Sequence, residues 1–339
     1  MKFNINYTLE DIKKIPKKDI NVFTTFACGG GSTMGYKLNG LKVKWVNDID
    51  PEMAKIYQAN HHPENYYLCD IRDLKNKIDP SIIGKVDILD GSPPCSSFSM
   101  AGKREKDWGK KKVFKEGQAH QVLDDLFFRF LEFADYLKPK VIIAENVKGM
   151  LAGKAQTYTR NVMRKFDEIG YNVQLFLLNS ASMGVPQQRE RIFFIASRKD
   201  LNFPKLTNFT FNEKPITFGE IRSAKGKEPT EHAKAVLRYY KKGDNDLGAI
   251  NIRINKKQTQ FTQKILADDQ VSKTVTSTGN DYRAFDKMEC SDEDYTKRQS
   301  FPLDYNYLDL SAKYVTGMSV PPIMMAHVVA KVLEQWKIK

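Results

Sequence analysis

Short apolar runs alternate with amphipathic segments over the first two hundred residues of the chain. The runs have the length and composition of strands, and between them apolar residues recur at helical spacing. This alternation predicts an α/β fold with a doubly wound sheet. The predicted strands are 21–26, 43–47, 66–69, 86–89, 141–144, 173–178 and 192–196, and the predicted helices include 52–61, 121–137 and 158–169.

The pattern changes after Arg198. Residues 201–300 are polar, lose the alternation and contain short runs of β type, such as 248–254 and 273–278, among mixed basic and aromatic residues. We therefore expect a first domain over residues 1–200 and a smaller, mainly β or irregular domain over 201–300. Residues 301–339 end in an amphipathic helix to about Trp336, which we expect to return to the first domain.

The composition predicts a polyanionic binding partner. Lys and Arg number 54 against 41 Asp and Glu, so the formal net charge is +13. This excess favours nucleic acid over a membrane surface, although a lysine-rich solubility coat has the same charge. The four cysteines form no CxxC pair and lack zinc-ligand spacing, so neither a disulfide framework nor a metal site is predicted. With no apolar signal-peptide core and no run of about 18 apolar residues, a cytoplasmic protein is expected.

One rigid turn presents a cysteine. The strand ending near Leu89 runs into Asp90-Gly91-Ser92-Pro93-Pro94-Cys95-Ser96-Ser97-Phe98-Ser99. Proline fixes its own φ and restricts the preceding residue, so this segment is a stiff arm. Open α/β sheets bind and transform ligands at the carboxyl ends of their strands, where this arm places the Cys95 thiol.

The first and second predicted strands carry the features of a nucleotide site. The first ends in a glycine turn, Cys28 to Gly31, that opens into a helix. Such a turn brings backbone N–H groups to a ligand, although many glycine clusters are plain tight turns. Asp48 follows the second strand, where related folds bind ribose hydroxyls. Asp50 with Pro51 has the pattern of a helix N-cap, so the two acids can divide these tasks.

Three groups converge with the cysteine in this prediction. Glu145 follows the strand at 141–144, and Arg189 and Arg191 precede the strand at 192–196. We expect all of them to project toward one edge of a parallel sheet, beside Cys95. A nucleophilic cysteine with an acid and an arginine suits covalent catalysis on an electron-poor ring, whereas each residue taken alone is also a common core or strut residue.

The order of five segments resembles the motif series of DNA (cytosine-5) methyltransferases of bacterial or phage type. They are Phe26-Ala27-Cys28-Gly29-Gly30-Gly31, Gly91 to Ser99, Glu145-Asn146-Val147, Gln187-Gln188-Arg189-Glu190-Arg191 and Gly317-Met318-Ser319-Val320-Pro321-Pro322. The resemblance covers about residues 20–198 and 295–335. It implies a Rossmann-like fold of the S-adenosylmethionine-dependent methyltransferase type, S-adenosylmethionine as methyl donor and double-stranded DNA as partner. It further implies methylation of carbon 5 of a cytosine flipped out of a specific duplex sequence.

The resemblance also assigns the catalytic roles. Cys95 would add to ring position 6, which activates carbon 5 to attack the donor methyl. Glu145 would contact ring nitrogen 3, and Arg191 would contact the exocyclic oxygen. Arg189 would have a structural or phosphate role, and Asn146 would order the Pro-Cys arm.

The remaining implied site residues bind the donor or DNA. The donor residues are Phe26, Ala27, Gly29, Gly30, Gly31, Asp48 on the ribose, Ile49, Asp70 on the adenine amine, Ile71, Pro93, Leu126 and Ser319. The DNA residues are Ser99 and, in the basic loop 103–118, Lys103, Arg104, Lys110 and Lys111, together with Thr274 in the domain 201–300, which takes the position of the target recognition domain.

Some positions depart from the family's pattern. Cys28 stands in place of a usual Gly, Ile49 in place of an often aromatic residue, and Met318 in place of a usual Asn. The usual Arg-Gly before Leu126 is absent. These departures affect the donor site and leave the reacting groups in place.

Two other functions remain open at this point. Some relatives with this motif set methylate a transfer RNA and carry a Cys-Phe-Thr tripeptide, which does not occur here. A catalytically silent, sequence-specific DNA-binding protein on the same scaffold is the second alternative. The resemblance further suggests a monomer and a cognate restriction endonuclease as a separate chain.

Overall fold

The computed structural model describes residues 3–94, 125–153, 155–256 and 263–338. Its centre is a seven-stranded sheet in the order β3-β2-β1-β4-β5-β8-β6. The strands are β1 Asn21–Thr25, β2 Lys42–Asp48, β3 Asn65–Leu68, β4 Ile88–Gly91, β5 Val141–Val147, β6 Tyr171–Asn179, β7 Gln187–Gln188, β8 Glu190–Arg198, β9 Ile265–Leu266, β10 Ser272–Lys273 and β11 Tyr282–Arg283. The short strands β7, β9, β10 and β11 lie outside this sheet.

Helices cover both faces of the sheet, which confirms the predicted doubly wound α/β fold. They are α1 Leu9–Lys13, α2 Gly31–Lys37, α3 Pro51–His61, α4 Ile71–Leu74, α5 Leu126–Leu137, α6 Ala155–Glu168, α7 Phe218–Ile221, α8 Glu231–Leu237, α9 Leu247–Asn255, α10 Asp292–Arg298, α11 Ala312–Met318 and α12 Pro322–Trp336. As predicted, Asp50 caps α3, and its side chain accepts hydrogen bonds from the N–H groups of Glu52 and Met53.

Residues of β5 alternate between the two cores. Val141 and Ile143 pack in the core under α2, α3 and α12, whereas Ile142 and Ala144 pack in the core under α5 and α6. Successive strand residues point to opposite faces of a sheet, so a strand covered on both sides is apolar at consecutive positions. This three-layer packing explains why the run at 141–144 is continuous in the sequence.

The final helix α12 completes the first core. Its closest neighbour is α2, where a Cβ added at Gly35 would lie 2.5 Å from the Cβ of Met325. Only glycine permits that approach. By length and composition, the stretch Ala312–Trp336 could also cross a membrane, but 78% of its most apolar window is buried inside the protein.

Strand direction is the first correction to the sequence analysis. The sheet is parallel from β3 to β5, but β8 runs antiparallel to both β5 and β6. The start of β8 therefore lies beside the end of β5. Glu145 and Arg191 still meet at one edge, although they lie within the strands rather than beyond their ends.

The second correction concerns residues 201–300. The run at 248–254 was predicted as β type and lies in helix α9, which is capped by the Asp246 side chain. Of the run at 273–278, only Lys273 lies in a strand. The predicted irregular character is confirmed, but short helices outweigh strands in the described part of this region.

Candidate active site

The carboxyl edge of the parallel strands brings most of the predicted site residues together. β1, β2 and β3 lead there into the glycine turn, Asp48 and Asp70, and β4 leads into Pro93. Ser319, between α11 and α12, joins them from outside the sheet, with its Oγ 3.6 Å from the Sγ of Cys28.

The glycine turn is held by backbone geometry and by two long-range hydrogen bonds. Phe26 and Cys28 have φ angles of 52° and 47°, in the left-handed region that favours glycine. The N–H of Cys28 donates to Oδ2 of Asp48 at 2.7 Å, and the Tyr305 hydroxyl donates to the carbonyl oxygen of Gly29 at 2.5 Å. A Cβ at Gly31 would lie 2.0 Å from the carbonyl oxygen of Val320. The turn therefore packs directly against the α11–α12 connection.

Cys28 keeps the turn conformation that the usual glycine would adopt. Burial, followed by the neighbouring Asp48 charge, raises the pKa of its thiol to about 12. A thiol needs to ionise to act as a nucleophile. Cys28 is therefore a packing residue of this turn, and it preserves the path of the backbone.

The acidic residues at this edge suit a nucleoside ligand. Each Asp48 oxygen accepts one backbone N–H, from Cys28 or Asp50, and each retains capacity to accept a ligand hydroxyl. The nearby Tyr66 hydroxyl is buried without a hydrogen-bond partner in the described part of the chain. Asp70 caps α4 and pairs with Arg72 at 2.8 Å. The remaining acceptor capacity of Asp48 and the unpaired Tyr66 hydroxyl fit a polar ligand at the ends of β2 and β3.

Apolar side chains flank these acids. Ile71 and Leu126 are buried in the second core, and the Phe26 ring lies 6.5 Å from that of Phe130. Ile49 is half-buried at the end of β2. The edge thus offers both the polar groups and the apolar walls that a nucleoside needs.

The arm that leads to the cysteine is tied to the next strand. The Asn146 side chain donates from Nδ2 to the carbonyl oxygen of Pro93 at 3.0 Å and accepts from the N–H of Val147. A Cβ added at Gly91 would lie 2.5 Å from the Phe130 ring. The close contact explains why glycine occupies this position. Cys95 itself lies outside the described residues.

Glu145 and Arg191 face each other on neighbouring strands. The Nε of Arg191 lies 2.8 Å from Oε1 of Glu145, and their side chains are only 16% and 9% exposed. That Oε1 has no aligned hydrogen bond from the described residues, so the contact is an ion pair by distance. A nearly buried acid and cation with unused hydrogen-bonding capacity can bind both a ring N–H and an exocyclic oxygen.

Arg189 points to a different set of partners. It is 4% exposed. Its guanidinium donates to the carbonyl oxygens of Val275 at 3.1 Å and Ser319 at 3.1 Å. It therefore connects the segment between α11 and α12 with the region 201–300.

A network of buried hydrogen bonds, which we term the joint, surrounds Arg189. It comprises residues 186–189, 272–275, 298–299 and 319. The Gln187 side chain is fully buried, accepts from the N–H of Val275 and donates to the carbonyl oxygen of Arg298. Thr274 donates to the carbonyl oxygen of Gln188 at 2.6 Å. The joint couples residues 272–275 of the region 201–300 to the strand that carries Arg191.

Five of the six predicted DNA residues lie outside the part of the chain that the structure describes. Ser99, Lys103, Arg104, Lys110 and Lys111 lie outside the described residues. Thr274 is half-buried in the joint, and the described structure gives it a backbone partner.

Comparison with known proteins identifies the family. The family model "C-5 cytosine-specific DNA methylase" matches residues 20–334. The chain belongs to the C-5 cytosine-specific DNA methylase family. The type II methyltransferase M.FnuDI of Fusobacterium nucleatum is 26% identical over 93% of this chain and 94% of its own length. M.NgoPII of Neisseria gonorrhoeae is 33% identical, over 56% of this chain and 52% of its own.

A solved structure shares the fold of this methylase. A prophage-encoded chain (E. coli), described as a DNA modification methyltransferase, matches with a TM-score of 0.71 at 15% identity and covers 94% of this chain and 99% of its own. The predicted family and activity are confirmed. The methylase transfers a methyl group from S-adenosylmethionine to carbon 5 of cytosine in DNA.

Sequence reasoning missed three residues that support this site. Asp90 is 1% exposed at the start of the arm, Gln187 organises the joint, and Tyr305 holds Gly29. Asp90 and Gln187 stood in quoted segments without a role of their own, and no sequence signal pointed to Tyr305.

Proposed function

We propose that Cys95, Glu145 and Arg191 form the cytosine pocket of this DNA methylase and that the protein acts on one specific duplex sequence. The observation that carries the proposal is the ion pair between Glu145 and Arg191 at 2.8 Å. It lies beside the arm that Asn146 holds through Pro93. Both side chains are nearly buried, and so could act only on a base that has left the DNA stack.

The reaction places a different demand on each group. Carbon 5 of cytosine is a poor nucleophile, and the Cys95 thiolate would activate it by bonding to ring carbon 6. The electron pair displaced in the ring is stabilised if Glu145 supplies a proton at nitrogen 3 and Arg191 binds the exocyclic oxygen. After methylation, loss of the proton on carbon 5 expels the thiolate and restores the ring. No side chain is assigned to that last deprotonation.

The donor site follows from the same edge of the sheet. When bound, S-adenosylmethionine supplies an electrophilic methyl group and is left as S-adenosylhomocysteine. We propose that Asp48 binds its ribose hydroxyls and Asp70 its adenine amine. Phe26, Ile49, Ile71 and Leu126 would supply apolar contact, and Ala27, Gly29, Gly30, Gly31, Pro93 and Ser319 would shape the donor site.

Two measurements test the pocket: the rate of methyl transfer, and the trapping of a covalent complex between the enzyme and DNA. Glu145→Gln keeps the shape of the side chain but cannot supply the proton, so we expect a loss of at least about 100-fold in single-turnover methyl transfer. Cys95→Ser should remove the covalent complex with duplex DNA in which the target cytosine is 5-fluorocytosine. Glu132→Gln, an exposed change on α5, is the matched control. Wild-type rates in Glu145→Gln would contradict the proposal.

The recognition role of residues 201–300 is also part of the proposal, with residues 1–200 and 301–339 as the catalytic domain. Residues 206 and 209 pack in the core of the first domain, so the recognition surface lies beyond them in the chain. Methylation of a random duplex library followed by bisulfite sequencing gives the target. Methylation at every cytosine would contradict sequence-specific recognition.

We further propose that the enzyme is a cytoplasmic monomer and protects its target against a separate restriction endonuclease. M.FnuDI and M.NgoPII are named type II methyltransferases, whereas M.SPRI of Bacillus phage SPR is named an orphan methyltransferase. Deleting the gene in its host should expose the target sequence to cleavage. Intact host DNA after deletion would favour the orphan type.

A further inference from the structure

Two fully buried glutamines form the centre of the joint. Gln187 lies on β7, and Gln299 directly follows helix α10. Gln187 accepts a hydrogen bond at Oε1 from the N–H of Val275 at 2.8 Å, and its Nε2 donates to Oε1 of Gln299. Gln299 in turn donates from Nε2 to the carbonyl oxygen of Ser319 at 2.7 Å. One continuous chain of hydrogen bonds therefore runs from Val275 to Ser319.

The two ends of this chain fix the orientation of both amides. The N–H of Val275 requires an oxygen opposite it, and the carbonyl oxygen of Ser319 requires an NH2 group. If one of the two amides were turned over, like groups would face each other inside the core. Hydrogen bonds that point in one direction also polarise one another. A displacement at one end therefore weakens the bonds along the whole chain.

Arg189 provides a second connection between the same two ends. Its guanidinium donates to the carbonyl oxygens of Val275 and Ser319, each at 3.1 Å. Both backbone groups of Val275 are thus held by buried side chains, and the carbonyl oxygen of Ser319 accepts two hydrogen bonds. Breaking these bonds would leave polar groups buried without partners, which is costly. Val275 and Ser319 are therefore held as one unit.

The Val275 end lies beside the proposed cytosine pocket. The hydroxyl of the preceding Thr274 donates to the carbonyl oxygen of Gln188, three residues before Arg191. After Val275 the chain returns to the surface, and residues 276–280 are half-buried or exposed. These residues are therefore in a position to contact the duplex around a flipped cytosine.

The Ser319 end lies against the glycine turn. The Oγ of Ser319 is 3.6 Å from the Sγ of Cys28. The next carbonyl oxygen, that of Val320, would lie 2.0 Å from a Cβ added at Gly31. This turn is part of the proposed donor site. A shift of Ser319 would therefore change the shape of that site.

We propose that Gln299 is a positioning residue that couples DNA binding to donor binding: through Gln187 and Ser319 it connects residues 274–280 with the glycine turn. Since either ligand orders the same hydrogen-bonded unit, each should bind more tightly when the other is present. This inference rests on the proposed donor site and on the proposed recognition role of residues 201–300.

A purely structural role for Gln299 predicts a different result. Loss of its hydrogen bonds would then lower the free energy of unfolding. The coupling factor, by which one ligand tightens the binding of the other, would keep its wild-type value. A role in coupling predicts that this factor falls.

The test is isothermal titration calorimetry with S-adenosylhomocysteine, which has no methyl group to transfer, in the absence and presence of a duplex that contains the methylated sequence. In the wild type, we expect the duplex to tighten binding by at least about five-fold. Gln299→Met has a similar length but lacks the amide, and it should reduce the coupling factor to less than about two-fold. No tightening in the wild type, or an equal factor in Gln299→Met, would overturn the inference.

Gln335→Met is the matched control. The Gln335 side chain on α12 also accepts from a backbone N–H and donates to a carbonyl oxygen, both of Thr207, outside the joint. This variant should keep the wild-type coupling factor, and an equal fall in both variants would contradict the inference. If Gln299→Met does not fold, Gln299→Asn replaces it. Its amide is too short to reach both Gln187 and Ser319, so it should show the same loss of coupling.

The affinity for DNA gives a second readout. Fluorescence anisotropy measures binding of the labelled duplex with and without saturating S-adenosylhomocysteine. Thermodynamic linkage requires the same coupling factor as in the calorimetry. In the Gln299 variant, the duplex should bind with nearly equal affinity in both conditions. A wild-type effect of S-adenosylhomocysteine on the duplex affinity of this variant would reject the proposed coupling.

Failure of this inference and failure of the proposed function give different results. If the wild-type protein bound no S-adenosylhomocysteine in either condition, the proposed donor site would be wrong, and this inference with it. If S-adenosylhomocysteine bound normally and Glu145→Gln lost methyl transfer, an unchanged coupling factor in Gln299→Met would reject only the role of Gln299.

Discussion

The carboxyl edge of β1, β2 and β3, where we propose that the donor binds and which we term the donor edge, and the joint are held together by different forces. At the donor edge, strands pair through their backbones, and apolar side chains fill both faces of the sheet. Around the joint, long polar side chains are buried: Arg298 and Arg283 are fully buried, and Asp281 is 3% exposed on its side chain. Charged groups that are buried need specific partners, so the joint depends on individual contacts more than the sheet does.

This difference has a consequence for coupling. The segment that carries Thr274 and Val275 is bonded to the residues just before Arg191. Displacement of this segment by bound DNA would act on the arginine of the pocket through hydrogen bonds of fixed direction. The glycine turn, by contrast, packs against the α11–α12 connection, where a Cβ at Gly31 would meet the carbonyl oxygen of Val320.

The largest expected effect is on the buried pair of Arg298 and Asp281, whose atoms lie 2.8 Å apart. Arg298→Met would leave the Asp281 carboxylate buried without this partner, which should cost about 3–5 kcal/mol of unfolding free energy. Chemical denaturation measures this change. Lys227→Met, in a pair with Asp292 whose side chains are about half exposed, is the control and should cost less than about 1 kcal/mol. Equal costs would show that the joint does not depend on buried charge.

An intermediate effect is expected at Arg189. A lysine there has one ammonium group and cannot bond to both Val275 and Ser319 as the guanidinium does. Arg189→Lys should cost about 2 kcal/mol of stability, the scale of one charge-assisted hydrogen bond, and should weaken donor binding measured by calorimetry. Glu190→Gln, which affects an exposed pair with Lys148, should change neither quantity. Unchanged donor affinity in Arg189→Lys would show that the hydrogen bonds of the joint do not affect donor binding.

The smallest effect is expected at Cys28 on the donor edge. Cys28→Gly relieves a positive φ that costs of order 1 kcal/mol, while glycine adds flexibility to the unfolded chain. We expect a net stabilisation below about 1 kcal/mol, measured by denaturation. Cys69 is also buried but does not have a positive φ, so Cys69→Gly should destabilise the protein. Similar destabilisation by both changes would mean that packing of the Cys28 thiol outweighs its backbone strain.

The sequence alone determined the seven strands of the sheet and most of their flanking helices. Apolar runs such as Val141–Ala144 can be read directly from the sequence, because a strand that is covered on both faces is apolar at consecutive positions. The cap at Asp50 is local, because its geometry depends on a few consecutive residues. These features were therefore predicted correctly from the order of residues.

Only the tertiary structure decided which residues meet and how the charges are balanced. Periodicity does not encode strand direction, so the antiparallel β8 was not predicted. In residues 248–254, an apolar run was mistaken for β structure, because helices and strands can have similar composition over so short a length. The partners of Arg189 are backbone carbonyl oxygens, which any residue supplies and no motif reveals. The proximity of Asp90 to Glu145 depends on the register of β4 against β5, because one residue of slip would turn one acid to the opposite face.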